Sequence, residues 1–131
     1  MKQIYYDRAN SNIDDIIGMK FQSIEINADN MTMKFYSVKN VNAKIKIVIQ
    51  APWRIRDSNS KIIFGCEDSE LKIAENKLYE KRMFYNFKDV EIELIDINEY
   101  MDVLIKFTNN MKLDIFTDTS VGEECWSIEK V

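Results

Sequence analysis

Histidine is absent from the chain. With it goes the side chain most often used as a general base near neutral pH, as the partner of a Ser or Cys nucleophile and as a metal ligand. Histidine-dependent triads and histidine-bearing zinc sites are therefore excluded. Proline occurs once and glycine three times in 131 residues. That leaves no composition for a flexible linker or tail, and length agrees with a single domain over residues 1–131. Cys66 and Cys125 have no CxxC spacing, so two reduced thiols are expected rather than a disulfide or a metal pair. No apolar run approaches the ~18 residues of a membrane span, and the first residues hold no stretch of signal length, so a cytoplasmic protein is expected. Eighteen basic residues face 22 acidic ones, a net charge of −4. This balance disfavours the phosphate neutralisation on which nucleic-acid binding depends, and it suits a basic protein partner better. Gly-rich phosphate loops, P-loops and EF-hand spacings are missing too, and neither a cofactor nor a metal is expected.

What the chain does have is alternation, and it has it twice. Ile24-Glu25-Ile26, Met31-Thr32-Met33-Lys34-Phe35 and Trp53-Arg54-Ile55 are echoed by Ile95-Asp96-Ile97, Val103-Leu104-Ile105-Lys106-Phe107 and Trp126-Ser127-Ile128. Ile95 follows Ile24 by 71 residues, Phe107 follows Phe35 by 72 and Trp126 follows Trp53 by 73. Two similar hairpin-rich halves, 19–66 and 90–131, are the reading, each supplying an apolar sheet face for the other to cover.

Local patterns fill in the elements. Asn12 to Ile17, closed by Gly18, suits a short helical turn. A loop over Asn27–Asn30 places Ile26 opposite Met31 and Ile24 opposite Met33, all on one face. Odd positions from Ala43 to Ile55 are apolar, a run too long for one strand. Pro52 should put this stretch at a sheet edge or turn it from one sheet into another. Asp57–Ser60 reads as a turn and Lys61–Cys66 as the returning strand. Leu71, Ala74 and Leu78 predict a linking helix over 68–83, N-capped by Asp68 or Ser69 and with its cations late. Val90, Ile92 and Leu94 open the second half. A three-residue loop, Thr108–Asn110 with Asn110 left-handed, keeps Phe107 against Met111 and Ile105 against Leu113. The expected fold is α+β, mostly antiparallel, about nine strands in a sandwich or partly open barrel with one linking helix.

Chemistry is harder to find. Glu67, Asp68, Glu70, Glu91, Glu93, Asp96, Glu123 and Glu124 could supply a carboxylate pair for a hydrolase, but acids this scattered are ordinarily solvated. Alternation projects Arg54 and Arg56 from one face of a strand, about 7 Å apart, where they can grip a carboxylate or phosphate or pair with acids across the sheet. Both tryptophans suit core anchors. The acidic pair Glu123 and Glu124, just before Trp126, is a candidate contact for a basic partner.

Phe107 inside a hairpin, then Glu124, Trp126 and Ile128 in a strand after an acidic turn, resembles small bacterial proteins similar to immunity proteins of polymorphic toxin systems. The resemblance implies binding and occlusion of a cognate toxin without catalysis, and it assigns no functional residue. The expected function is thus non-catalytic protein binding through Glu123, Glu124, Arg54 or Arg56. The alternative is a small-molecule or carbohydrate-binding domain, or a carboxylate-dependent hydrolase.

Overall fold

A computed structural model describes residues 13–27, 30–65, 73–117 and 126–131, the side chains of 73–76 and 79 aside. Among them a 3₁₀ turn, Ile13–Ile16, precedes three strands: β1 (Lys20–Ile26), β2 (Met31–Tyr36) and β3 (Lys44–Ile49). β4 (Trp53–Arg56), β5 (Ile62–Gly65) and the helix α1 (Ile73–Phe87) follow. The second half holds β6 (Ile92–Ile97), β7 (Val103–Phe107), β8 (Lys112–Ile115) and β9 (Trp126–Lys130). All strand pairs are antiparallel, in a four-stranded sheet ordered β1-β2-β3-β9 and a five-stranded sheet ordered β5-β4-β8-β7-β6. The expected α+β class, with mostly antiparallel strands, a sandwich of two sheets and one helix, is what forms.

Several local expectations hold to the residue. Ile26 pairs with Met31 and Ile24 with Met33. Phe107 N donates to Met111 O (2.9 Å), Ile105 opposes Leu113, and Asn110 takes φ 67°. Of the two readings of the run through Pro52, sheet edge or change of sheet, the second forms, for β3 belongs to the four-stranded sheet and β4 lies inside the five-stranded one.

That crossing is made twice. β3 leads into β4, which pairs with β8; beyond β8 the chain returns as β9, which pairs with β3. Each three-strand meander is thus extended by a strand of the other half, β1-β2-β3 by β9 and β6-β7-β8 by β4, with β5 beyond β4. Trp53 opposes Ile115 and Ile55 opposes Leu113; likewise Trp126 opposes Ile49 and Ile128 opposes Ile47. The correspondence extends to irregularities. The first strand of each meander, at a sheet edge, carries a bulge, between Phe21 and Ser23 in β1 and between Ile92 and Leu94 in β6. Where these strands begin they meet, Phe21 N donating to Val90 O (2.8 Å) and Ile92 N to Met19 O (2.9 Å). Gly18 (φ 89°) and Asp89 (φ 62°), 71 residues apart, both turn the chain into those strands. Phe35 and Phe107, fully buried, stack between the sheets with centroids 6.2 Å apart and planes 10° from parallel.

Three expectations need correction. The helix runs on to Phe87, not to Met83, and the side it buries is that of Met83 and Phe87, while Leu78 is 62% exposed. The reason is that Phe87 closes on Phe21 and Phe107 (centroids 5.5 and 5.0 Å), and this corner sets the helix's rotation. Its last turn accordingly holds no cation, since Lys81 and Arg82 lie mid-helix. Leu94 points outward, because the bulge after Ile92 shifts the alternation and brings Ile95 inward instead. The proposed N-cap at Asp68 or Ser69, Leu71, Cys66 and Cys125 lie outside the described residues.

Candidate functional site

On β4, alternation buries Trp53 and Ile55 and sends Arg54 and Arg56 to the outer face of the five-stranded sheet. Register then decides what they meet: Arg54 lies opposite Asp114 of β8 and Arg56 opposite Lys112. Asp114 Oδ2 accepts from Arg54 Nε (2.9 Å) and from Arg56 Nε (2.7 Å), and its Oδ1 accepts from Arg56 Nη2 (3.0 Å). Arg56 therefore holds Asp114 as a two-point fork, and Arg54 shares one oxygen of the same carboxylate. Of the two readings open for the arginine pair, pairing with an acid across the sheet is the one that forms.

The cluster is nevertheless not closed. Arg54 engages Asp114 only through Nε, and its side chain is 40% exposed, so its terminal nitrogens make no bond among the described residues. The guanidinium carbon sits 5.1 Å from the centre of the Phe116 ring, a cation–π contact with a side chain itself 38% exposed. Around the cluster runs a row of side chains, one per strand: Leu94, Lys106, Lys112, Arg56 and Ile62. Three adjacent cations thus cross the face at ~4.8 Å per strand, with exposed Leu94 and Ile62 at the ends. Lys106 is partly offset by Glu93 at 3.6 Å. Asp114 and Glu93 thus face four cations, Arg54, Arg56, Lys106 and Lys112, and the local balance is positive.

The equivalent place on the other sheet carries different chemistry. There Ser127 and Glu129 of β9 are buried; Ser127 Oγ donates to Glu129 Oε2, and Lys46 Nζ lies 3.9 Å from Glu129 Oε1. The halves share a frame and not a surface.

Of the residues singled out from sequence, Arg54 and Arg56 come together on one carboxylate, whereas Glu123 and Glu124 lie outside the described residues, as do Glu67, Asp68 and Glu70. Glu91 is set apart at the start of β6, and Glu93 and Asp96 sit along that strand's outer side. Both tryptophans are core anchors, 4% and 8% exposed, and Trp126 Nε1 donates to Met101 O (2.8 Å). Sequence reasoning missed Asp114 and Phe116. Their signal was the alternation Leu113-Asp114-Ile115-Phe116, which puts an acid and an aromatic outward, but only the β4–β8 register aligns them with the arginines. Among the described residues no group of three or more Cys, Asp or Glu side chains could hold a metal ion. No helix among them is long and apolar enough to cross a membrane. No protein-family model, curated protein or solved structure matches the chain.

Proposed function

We propose that this chain is a non-catalytic protein-binding module, an immunity-like inhibitor that occludes the protein it binds, and that its contact surface is the outer face of the five-stranded sheet around Arg54 and Phe116. The observation that carries the reading is the Arg54–Asp114–Arg56 cluster. Asp114 fixes both guanidiniums before any partner arrives, which lowers the ordering cost of association. It also leaves the Arg54 terminal nitrogens without a bond among the described residues, beside a partly exposed aromatic ring. Arginine and aromatic side chains are the residue types that dominate binding energies at protein interfaces, where they sit ringed by near-neutral neighbours. The surplus of positive charge favours an acidic patch on the partner. The pair Glu123 and Glu124 is the competing contact, and it would select a basic partner.

Following the immunity-like resemblance, the test pairs the protein with the product of the gene immediately upstream. Kd is measured by surface plasmon resonance for Arg54→Ala, Phe116→Ala and the double charge reversal Glu123→Lys with Glu124→Lys. Arg54→Ala and Phe116→Ala should each weaken binding about tenfold or more, the size expected of a central anchor, and the acidic reversal should leave Kd unchanged. Slowed association in the acidic reversal, with Arg54 and Phe116 indifferent, moves the contact to Glu123 and Glu124. No complex at micromolar concentrations counts against partner binding.

A further inference from the structure

At the end of the four-stranded sheet, beside the loop between β2 and β3, the surface folds into an open groove of about 770 Å³. That is within the ~300–1,000 Å³ typical of ligand sites. Core residues Met19 and Ile45 form its floor, and the exposed side chains of Ile17 and Val38 line it. Exposed apolar residues scattered singly need no explanation, but convergence on one concavity does.

The groove's two sides carry opposite charge, Lys130 and Val131 at the end of β9 also lining the basic one, where Val131 N donates to Lys44 O (3.1 Å). Asp15 and Glu91 stand where the 3₁₀ turn packs against the start of β6. Lys39 and Lys44 stand on the other side, in the β2–β3 loop and at the start of β3. None of these four side chains makes an ion pair or hydrogen bond among the described residues, although the molecule pairs charges freely elsewhere. Register gives the separation. Glu91 opposes Lys20, Lys20 opposes Tyr36 and Tyr36 opposes Lys44, three strand-to-strand steps and so about 14 Å between backbones at ~4.8 Å each. An extended chain of three to four residues spans roughly 10 to 14 Å.

We propose that this groove binds a short peptide with free ends and an apolar middle. Its ammonium group lies at Asp15 and Glu91, its carboxylate at Lys39 and Lys44, and its side chains rest on Met19 and Ile45. A simple amphipathic anion satisfies only one of the two walls; a tri- or tetrapeptide satisfies both and matches their spacing. The site is separate from the outer face of the five-stranded sheet and does not depend on it.

The probes are tri-leucine, N-acetyl-tri-leucine and tri-leucine amide, titrated against the full chain by amide-resolved NMR. Tri-leucine should bind saturably at millimolar concentrations or below, shifting Ile17, Met19, Val38 and Ile45. Blocking either end should weaken it about three- to fivefold, the size of one partly exposed charge contact. Lys44→Glu should abolish the penalty for amidation, and Asp15→Lys the penalty for acetylation, each leaving the other penalty in place. Val38→Trp, which fills the groove, should eliminate binding while the core resonances stay where they are. Blocked peptides binding as well as the free one, shifts mapping elsewhere, or no saturable shift would each overturn the proposal.

Discussion

Asp114 is where the outer face of the five-stranded sheet is held together. Replacing it with Ala leaves two guanidiniums facing each other without their shared acceptor. Because Arg54 and Arg56 keep access to water, with side chains 40% and 20% exposed, the cost should be about 1–2 kcal/mol, less than for a fully buried pair. Urea midpoints measure it, and a midpoint equal to the parent's would mean that the cluster contributes nothing to stability. The two tryptophans separate packing from hydrogen bonding. Trp53→Ala should cost about 3–5 kcal/mol, the range for deleting a large buried aromatic. Trp126→Phe keeps most of the buried ring and loses the bond to Met101 O, which still accepts from Thr117 Oγ1 at 2.8 Å; about 1 kcal/mol is expected. At this scale the sequence was legible where backbone geometry chooses a residue type. Asn110, in the left-handed region that Asn tolerates, fell where the loop needed it. Asp114 was not legible, since its meaning comes from a strand 58 residues away.

Each element was readable to the extent that its neighbours in the chain were also its neighbours in space. The β1–β2 and β7–β8 hairpins meet that condition, and alternation with loop length specified their registers. α1 does not, for it packs on β1. Its apolar residues offered more than one stripe, and contact with Phe21 and Phe107 selected the one ending at Met83 and Phe87. The helix also does a job that no periodicity signals: Glu80 Oε1 accepts from Ile26 N (2.8 Å) and so caps a donor of the edge strand β1. Met83→Ala should accordingly cost about 2–5 kcal/mol, whereas Leu78→Glu, on the solvent side, should lie within about 0.5 kcal/mol of the parent. Thermal melts of both variants check the assignment of faces; equal destabilisation would show that Leu78 is also packed.

In the whole molecule, each meander is extended by a strand from the other half, β9 on one sheet and β4 on the other, so no half-length piece has its own finished sheet. Unfolding should then be a single transition. Tryptophan fluorescence, reporting on the two crossing strands through Trp53 and Trp126, should lose its native signal at the same urea concentration as far-ultraviolet circular dichroism. Separated midpoints would show that the halves come apart independently. Alternation alone makes hairpins, but it does not demand matching bulges in β1 and β6 or matching positive-φ turns at Gly18 and Asp89. The amino-acid sequence by itself determined the strands, the tight loops, the interruption at Pro52 and the inward tryptophans, because each depends on side-chain period or on the torsion preferences of a few adjacent residues. Only the tertiary structure decided the exchange of β4 and β9, the buried side of α1, the partner of the two arginines and the groove with opposed charges. All of these arise between residues far apart in the chain, where side-chain period places a residue on a face but is silent on what lies opposite it.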